Sequence, residues 1–482
     1  MMVHFLNKDE YGLSVIFFQI INYLSLFDFG LSNAVIRNLA LHRGDDDDNR
    51  LMVNKIMSTG VFVAVAFGLL VALMGLCLGP LLPRAYDLSP ELAAPAVPIV
   101  ITLSLLVGGQ FVQRGLFGIF FANHRQTLIA TAYFAVNMLT TAVTLFLLWR
   151  GVGLWTFVYA NIFQLLITTV MLLGMMRVYY PQVLIRFRFY DRALTASMMN
   201  FGFFMFLQGL ATQVILYTDR LVIGKVLSLS LVAVFSLTVR IPEVGMSLLG
   251  RITENSLPAV AEIVVHEGPE RARLYFHRMM LLIVSLSMMA FWAMLALDEW
   301  FIRMWVGPDF FAGQQVLVLA LIIMVQQTIT RTGSFFINAK GVARELSFLT
   351  IVEAALNLVL SIGLSYKLGM SGILLGTILA SLLTSSWYVP YMMLKHFGIT
   401  PRDSVVRPIL WPVVGMSVVG GAVFYFAKVA DTVPFLNNWL GFVVVGAAIG
   451  LVLGGVAWLV YLRPVLGVYV PARFRRYLLL PQ

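Results

Sequence analysis

Long apolar segments alternate with short polar loops along almost the whole chain. About 13 of these segments are long enough to cross roughly 30 Å of hydrocarbon as helices. A membrane-spanning β-strand needs only about ten residues, so segments of this length indicate helices. Their expected cores are 11–34, 56–79, 96–121, 128–149, 152–176, 195–217, 228–250, 276–297, 314–338, 346–366, 371–394, 408–428 and 439–462. The pattern predicts an all-α, polytopic membrane protein.

One apolar stretch, residues 219–254, carries a row of polar and charged side chains. The row advances by four, three, four, four and three residues, which places its members on one helical face. Its members are Ser236, Arg240, Glu243, Ser247, Arg251 and Glu254.

An Arg or Glu at bilayer depth costs at least about 2.5 kcal/mol unless it faces water or a partner. We therefore predict that this row lines a polar cavity.

The composition excludes a soluble globular protein. The 482 residues are 60% hydrophobic and only 12% charged, and the mean hydropathy is +0.89. Folding in water would leave too much apolar surface exposed, whereas a bilayer accepts it. The single cysteine, Cys77, excludes a disulfide framework and a metal site built from cysteines.

The positions of the basic residues predict the orientation in the membrane. One set of alternate loops carries 22 of the 33 Lys and Arg residues, the other set carries 8, and Arg114, Arg240 and Arg331 lie inside apolar segments. By the positive-inside rule the richer set is cytoplasmic, and so is the C-terminus. The net charge of +10 is thus explained by orientation in the membrane, and no nucleic-acid partner is expected.

The start of the chain does not fit this topology. An odd number of spans with a cytoplasmic C-terminus places the N-terminus outside, yet residues 1–10 carry no export signal. We therefore expect that one helix upstream of Met1 is missing from this reading frame.

A weak internal repeat predicts two lobes. Gly118–Asn123, with the sequence GIFFAN, recurs 215 residues later as Gly333–Asn338, with the sequence GSFFIN, and two further matches follow at similar offsets. Parallel repeats with a site between them are a known transporter architecture. We predict two pseudo-symmetric lobes, with about five helices over 1–192 and about six over 193–398, followed by two extra helices and a basic tail over 399–482.

The segment between the predicted lobes, residues 177–192, alternates basic residues with aromatic and aliphatic ones. Such a segment either lies on the anionic inner leaflet or forms a solvated linker. Both interpretations stay open at this stage.

Further polar rows on other apolar segments supply candidate site residues. A lone Asn, Gln or Ser in a membrane helix usually joins helices, whereas an ionised side chain favours a cavity, with a structural ion pair as the alternative. Arg240 and Glu243, three residues apart, are also placed to neutralise each other. Guanidinium groups suit a phosphate or pyrophosphate, and Gln, Asn and Ser suit sugar hydroxyls. The predicted substrate-cavity residues are Arg240, Arg331, Arg114, Arg251, Gln113, Gln327, Asn338 and Asn357. The candidates for coupling a proton or a sodium ion are Asp28, Glu243 and Glu353, and the sequence does not choose among them.

Signals for catalysis are weak. Asp45–Asp48 has the composition of a glycosyltransferase metal motif, but it stands in a short loop without a nucleotide-binding domain, so we predict a solvated charge run. The six histidines lack metal-ligand spacing, and there is no glycine-rich phosphate loop. We predict no catalytic residue, no metal and no cofactor.

Two stretches carry a recognisable signature. Glu10–Arg37 contains EYGLSVIFF and YLSLFDFGL, and Asp219–Pro242 contains DRLVIGK, VAVFS and RIP. They resemble the second helix and the eighth helix, with its preceding loop, of polysaccharide-biosynthesis flippases. These flippases belong to the multidrug/oligosaccharidyl-lipid/polysaccharide exporter superfamily. The resemblance covers essentially the whole chain. It implies twelve or fourteen spans in two lobes, around a cavity, often cationic, that opens alternately to each side.

The resemblance further implies a flippase of the bacterial inner membrane. Its substrate would be a lipid-linked oligosaccharide, such as an O-antigen or exopolysaccharide unit on undecaprenyl pyrophosphate, moved from the inner to the outer leaflet. Arg240, Arg331 and Arg114 would hold the pyrophosphate–sugar head while the lipid tail stays in the bilayer at a gap between lobes. A polysaccharide polymerase or another assembly protein is an expected partner.

Three alternatives remain from the sequence. The first is a small-molecule or drug cation antiporter of the same superfamily, although the intramembrane basic residues weigh against it. The second is a membrane glycosyltransferase, for which the outer loops near 80–95 and 298–313 are short. The third is a non-transporting subunit of a polysaccharide assembly complex.

Overall fold

The computed structural model describes residues 5–42, 47–123, 125–256, 260, 262–263, 268–340, 342–400, 402–433 and 437–463. These residues are helical almost throughout, and no strand occurs among them. The prediction of an all-α fold is confirmed. The chain forms two compact units, Met1–Val232 (unit 1) and Ala233–Gln482 (unit 2). The predicted boundaries after residues 192 and 398, and the pseudo-symmetry of the lobes, stay predictions.

Unit 1 begins with a capped helix that soon breaks. The Asn7 side chain accepts the backbone N–H of Glu10 at 2.8 Å, and the Glu10 carboxylate accepts that of Asn7 at 3.0 Å. The first helix ends in a 3-10 turn, after which Phe29 and Gly30 have left-handed backbone angles, with φ of 48° and 67°. The helices of unit 1 are α1 (Lys8–Leu24), α2 (Leu31–Leu41), α3 (Asp47–Ala85), α4 (Pro90–Ala122), α5 (Gln126–Trp149), α6 (Trp155–Tyr179) and α7 (Arg192–Val226).

Helices α3 and α4 pack closely because glycines face each other along their contact. A Cβ built on Gly68 would lie 2.7 Å from the carbonyl oxygen of Gly108, and one on Gly108 would lie 2.6 Å from that of Gly68. Farther along, a Cβ on Gly75 would meet the side chain of Ser104 at 2.3 Å. Small residues allow this backbone approach between membrane helices. The remaining core of unit 1 is built mainly from Leu, Ile, Val and Phe of α2, α3 and α4.

The segment after α6 docks along α3. Asn54 accepts the N–H of Leu184 at 2.8 Å, and Ser58 accepts that of Arg186 at 3.1 Å. The Nζ of Lys55, which follows Asn54, lies 3.8 Å from the carboxylate of Asp191, whose side chain caps α7. Neither interpretation made from the sequence, a membrane-surface segment or a solvated linker, included this docking on a helix.

The second unit contains a bent helix and a helical hairpin. Its helices are α8 (Leu229–Thr238, which crosses the unit boundary), α9 (Arg240–Asn255), α10 (Pro269–Trp305), α11 (Gln314–Ala339), α12 (Ala343–Leu383), α13 (Ser385–Phe397), α14 (Trp411–Thr432) and α15 (Trp439–Val456). Helices α8 and α9 meet at a bend of 47°. A π-helical turn, Arg402–Leu410, precedes α14.

Helix α12 folds back on itself at Gly369, whose backbone angles, φ 58° and ψ −137°, are readily adopted only by glycine. The two arms are joined by hydrogen bonds from Asn357 Nδ2 to Thr377 Oγ1, at 2.8 Å, and from Ser361 Oγ to the carbonyl of Ile373, at 3.0 Å. The segments predicted at 346–366 and 371–394 are therefore two antiparallel arms. The structure places the sharp turn inside a run that is otherwise helical.

Ten helices of the described part are long and apolar enough to span a membrane, or eleven if the bent pair α8–α9 counts as one span. The sequence predicted about 13 segments, and all of them fall on helices. The difference has identifiable causes. The ten include Glu345–Phe397 as a single run of 53 residues, although this run contains both hairpin arms. They do not include α7, where the side chains at 200–205 lie outside the described part.

The two C-terminal helices pack on α10. Met416 and Val423 of α14, and Ile449 and Leu453 of α15, share one buried cluster with Ile283 of α10. Near the C-terminal end of α10, Lys428 of α14 pairs with Glu299, and Asp431 of α14 pairs with Arg303. These contacts make the last two helices part of the core of unit 2.

Candidate functional site

In unit 1 the structure joins two predicted residues, Asp28 and Arg114, in one ion pair. The Nη1 of Arg114 lies 3.5 Å from Oδ2 of Asp28 and donates to the carbonyl oxygen of Ser25 at 2.9 Å. The other carboxylate oxygen of Asp28 accepts the N–H of Gly30 at 2.9 Å, and Ser32 donates to Oδ2 at 3.3 Å. The side chains are 16% (Asp28) and 35% (Arg114) exposed. The pair therefore holds α4 against the break between α1 and α2.

Gln113, next to Arg114 on α4, is used between helices. Its Nε2 donates to the carbonyl of Leu165 and to the hydroxyl of Thr169, both on α6 and both at 2.8 Å. The side chain is buried. This is the helix-joining role usual for a lone glutamine in a membrane protein, and its role in a substrate cavity stays a prediction.

In unit 2 the polar row of α9 lies mainly on an exposed face. The side chain of Arg240 is 70% exposed, and its Nη1 lies 4.0 Å from the carboxylate of Glu243, which is 26% exposed. Ser247, Arg251 and Glu254 are exposed as well. Helices α8 and α9 together are apolar enough to form one bent span. Two exposed arginines on such a helix require a polar environment on that face.

Helix α11 brings a third arginine of unit 2 beside this row. Arg331 is half-buried, and its Nη1 lies 4.0 Å from the position that a Cβ on Gly250 of α9 would take. Three residues after Gly250 and one residue after Arg331, the hydroxyls of Thr253 and Thr332 are 3.3 Å apart. Helices α9 and α11 are therefore in contact beside Arg331, one residue before Arg251 along α9. Asn338, at the end of α11, is exposed.

Glu353 lies in an oxygen-rich pocket within unit 2. Only 5% of the residue is exposed, and its carboxyl group is surrounded by the polar side chains of Gln327, Ser381, Thr384 and Ser385. Among the described residues, no Lys or Arg nitrogen lies within 4.0 Å of this carboxyl group. A carboxyl group with hydroxyl and amide oxygens around it provides ligands for a proton or a small hard cation. Asn357, one turn farther along α12, is used in the hairpin.

The structure also shows features that the sequence patterns did not predict. Asp298, on α10, is fully buried, and neither carboxyl oxygen has a hydrogen-bond partner among the described residues. Unit 2 also has an apolar crevice of about 660 Å³, lined by residues of α10, α11, α12, α13, α14 and the π-helical turn before α14. Its polar edge consists of Gln326, Thr330, Ser386 and Ser417. In the sequence, Asp298 is only an acid at the edge of an apolar segment. A crevice between helices cannot be recognised from a single sequence.

Taken together, the fold and the charged residues define a class of protein. Long apolar helices arranged in two units, with broken helices that carry charged residues, are characteristic of polytopic transport proteins of the membrane. The sequence profile of the polysaccharide biosynthesis protein family matches residues 1–312, and the chain belongs to that family. The resemblance seen in the sequence is confirmed.

Comparison with individual proteins agrees with this assignment. The uncharacterized membrane protein EpsK of Bacillus subtilis (strain 168) is 20% identical over 464 residues, which are 93% of this chain and 88% of EpsK. The fold is similar to that of the lipid II flippase MurJ in an inward closed conformation, with a TM-score of 0.70, 14% identity, and coverage of 93% of this chain and 92% of MurJ. An inward-facing multidrug resistance transporter of the MATE family gives a TM-score of 0.63 at 16% identity, over 82% of this chain and 95% of its own. At these identities the structures share the fold.

Proposed function

We propose that the protein flips a lipid-linked oligosaccharide, a glycan on a polyprenyl pyrophosphate, from the inner to the outer leaflet by alternating access. It would work in the bacterial inner membrane, with its C-terminus in the cytoplasm, during export of a cell-surface polysaccharide. Membership of the polysaccharide biosynthesis family and the likeness to a lipid II flippase support this proposal. The observation that carries it is the row of exposed arginines on α9.

Arg240 and Arg251 are three helical turns apart, which is about 16 Å along α9. Both lie on the exposed face, and Arg331 of α11 lies beside Gly250, next to Arg251. Guanidinium groups bind phosphate oxygens with two parallel hydrogen bonds, which favours Arg251 and Arg331 as the pyrophosphate ligands. Arg240 and Ser247 of the row then face the sugars.

The lipid tail needs an apolar path beside this polar row. The crevice of about 660 Å³ in unit 2 is lined largely by Met, Phe, Trp, Leu, Ile and Val side chains. A polyprenyl chain is as apolar as this lining, so it can move from the bilayer onto the crevice surface without contacting water. Head and tail thereby contact chemically different surfaces of the same unit.

Glu353 is the most suitable of the three ion-coupling candidates. Asp28 is already neutralised by Arg114, and Glu243 lies 4.0 Å from Arg240. Glu353 has only neutral polar side chains around its carboxyl group within the described residues. A group of this kind changes its charge when a proton or cation binds, whereas an ion-paired carboxylate is already compensated.

The proposal is tested with the full chain in vesicles that contain an undecaprenyl-pyrophosphate-linked glycan. Transfer is measured as accessibility of the glycan to a glycosidase added outside. We expect Arg251→Gln and Arg331→Gln each to lower the initial rate about tenfold or more, because a charge-assisted hydrogen bond contributes about 1.5–3 kcal/mol. The matched control is Arg150→Gln, an exposed arginine after α5, which should transfer at the wild-type rate.

Two results would contradict the proposal. Wild-type rates in both variants would remove the assigned binding site. Transport of a lipophilic cation such as ethidium, without any glycan transfer by the wild-type chain, would instead favour a multidrug antiporter, for which the MATE-like fold provides the precedent.

A further inference from the structure

The segment of unit 1 that docks on α3, residues 180–191, has no part in the proposed transport site. We call it the docked segment. Three buried side chains of α3 accept backbone N–H groups from it. The pairs are Asn54 with Leu184 at 2.8 Å, Ser58 with Arg186 at 3.1 Å, and Thr59 with Asp191 at 3.0 Å. These hydrogen bonds fix the backbone of the docked segment, so the side chains on its exposed side have a defined place beside α3.

The exposed side of the docked segment is partly aromatic. Phe187 is 73% exposed and Tyr190 is 39% exposed. Their rings stack with centroids 6.0 Å apart and an angle of 4° between the planes, and the Phe187 ring also packs edge-to-face with Phe62 of α3 at 5.3 Å. Aromatic rings held in this way are typical of the interface between water and a membrane.

Four exposed arginines accompany these rings. Arg186 and Arg188 lie within the docked segment, Arg177 lies in the last turn of α6, and Arg192 is the first residue of α7. Among the residues that the structure describes, no carboxylate lies within 4.0 Å of any of these four guanidinium groups. All four cations are therefore available to an anion outside the protein.

The only acid of the docked segment is already compensated. The carboxylate of Asp191 lies 3.8 Å from the Nζ of Lys55 on α3. The guanidinium carbon of Arg188, by contrast, lies 4.6 Å from the ring centre of Phe189. This cation–π contact keeps the charge of Arg188 close to the exposed rings.

The acidic residues at the start of α3 are too far along the helix to neutralise these arginines. Asp48 precedes Ser58, which accepts the N–H of Arg186, by ten residues, and this spacing is about 15 Å on a helix. Exposed charges are screened over about 8 Å at physiological salt. Asp47 in addition lies 4.0 Å from Arg50. The exposed surface of the docked segment therefore carries a net positive charge.

The docked segment lies where α3 enters its apolar stretch. The apolar core of α3 is predicted to begin at residue 56, and the segment is held at Ser58 and Thr59. The positive-inside rule assigns this end of α3 to the cytoplasmic side, where anionic lipids give the leaflet a negative surface potential. Cations and aromatic rings at this level match the phosphates and the upper acyl groups of such a leaflet.

We propose that the docked segment binds the headgroups of anionic phospholipids in the cytoplasmic leaflet. Arg186 and Arg188 contact the phosphate oxygens, and Phe187 and Tyr190 lie among the glycerol and upper acyl groups. These lipids belong to the bilayer and are separate from the transported lipid. Their binding holds the segment on α3, and it thereby fixes the start of α7, because the side chain of Asp191 caps that helix.

The test uses the full chain in nanodiscs of phosphatidylcholine, with or without phosphatidylglycerol. The readout is hydrogen exchange of the amides of Leu184, Arg186 and Asp191, which report docking directly because they donate to α3. Phosphatidylglycerol should slow their exchange about tenfold, since each arginine near an anionic surface contributes a factor of about five. High salt should reduce this slowing.

The variant Arg186→Gln/Arg188→Gln should exchange at the same rate in both kinds of nanodisc. The matched control is Arg84→Gln/Arg150→Gln, which also removes two exposed arginines, from loops assigned to the opposite side. This control should keep the full slowing by phosphatidylglycerol.

A second measurement reports the depth of the aromatic rings. A nitroxide is attached at Phe187→Cys in a chain with Cys77→Ser, because Cys77 is exposed. It should collide more often with oxygen, which dissolves in the bilayer, than with a water-soluble nickel chelate.

Three results would overturn the proposal. The first is equal exchange of the wild-type chain in both kinds of nanodisc. The second is a slowing by phosphatidylglycerol that Arg186→Gln/Arg188→Gln retains, because the lipid would then act elsewhere. The third is a nitroxide that collides mainly with the nickel chelate, which would leave this surface for a soluble acidic partner.

Discussion

The predicted site residues of the two units differ in how their charges are paired. In unit 1, Asp28 and Arg114 form an ion pair although they belong to different helices, and the surrounding backbone groups complete their hydrogen bonds. Unit 2 has comparable ion pairs near the end of α10, Arg303–Asp431 and Lys428–Glu299, but its predicted site residues Glu353 and Arg240 do not pair with each other. Glu353 lies among neutral polar side chains, while Arg240 lies on an exposed helix face.

This difference assigns different roles to the two sets of residues. A compensated pair in a partly buried position fixes geometry, and here it fixes the break between α1 and α2 against α4. A buried acid without a nearby cation has a large free-energy reason to bind a proton or cation. Exposed arginines on a membrane helix are available for a ligand anion. We therefore infer that the Asp28–Arg114 pair is part of a fixed frame, whereas Glu353 and the arginines of α9 are the groups that change partners during transport.

The largest effect on stability is expected from breaking the ion pair of unit 1. Arg114→Gln should lower the free energy of unfolding by about 3 kcal/mol, because it leaves the Asp28 carboxylate partly buried without its cation. The measurement is denaturant unfolding of the full chain in detergent micelles. The double variant Asp28→Asn/Arg114→Gln should recover part of this loss, which gives a favourable coupling of about 1–2 kcal/mol.

The control for this prediction is an exposed ion pair of the same unit. Lys225 Nζ lies 3.2 Å from the Asp87 carboxylate, and both side chains are more than half exposed. Lys225→Gln should change the free energy of unfolding by less than about 0.5 kcal/mol. Equal effects of Arg114→Gln and Lys225→Gln would show that the Asp28–Arg114 pair does not hold the break.

An intermediate effect is expected at Glu353. Glu353→Leu should lower the free energy of unfolding by about 2 kcal/mol, because it places an apolar side chain among the polar side chains of Gln327, Ser381, Thr384 and Ser385. Glu353→Gln keeps a polar group of nearly the same shape and should stay within about 0.5 kcal/mol of the wild type.

Transport tests the role of Glu353 separately from its effect on stability. Glu353→Gln cannot exchange a proton or hold a cation with a full negative charge, so its glycan transfer should no longer respond to an imposed proton or sodium gradient. The measurement is the transfer rate in vesicles with and without each gradient. A gradient response equal to that of the wild type would exclude Glu353 as the coupling residue and return the question to Asp28 and Glu243.

Periodicity in the sequence predicted the helices and their polar faces well. The spacing of the α9 row fixes a single face, since residues three and four apart lie together on a helix, and Arg240, Ser247, Arg251 and Glu254 are all on the exposed side. The pairing of Asp28 with Arg114 was not predictable, because 86 residues separate them. Such a contact depends on how α4 crosses the first two helices, which local patterns do not encode.

The internal repeat gave a similarly partial prediction. Both copies of the GxFFxN motif occur at the ends of helices, α4 and α11. The buried phenylalanine is Phe120 in the first copy and Phe336 in the second, which are not equivalent positions of the motif. The helices therefore present different faces to their cores.

Asn54 and Ser58 are a small polar pair one turn apart on α3. Only their buried position in the structure shows that they hold a neighbouring segment.

The smallest effect on stability is expected at Arg240 and Glu243, where the comparison between the units is most easily tested. Their ion pair is long, at 4.0 Å, and the arginine is mostly exposed, so side-chain entropy and screening cancel most of its attraction. Arg240→Gln, Glu243→Gln and the double variant should each unfold within about 0.5 kcal/mol of the wild type, with a coupling near zero that salt does not change. A coupling above about 1.5 kcal/mol would show that Arg240 is committed to an internal partner, as Arg114 is in unit 1. A near-zero coupling together with slower glycan transfer in Arg240→Gln would mean that this guanidinium acts on the substrate, because its loss then affects transport and leaves the fold intact.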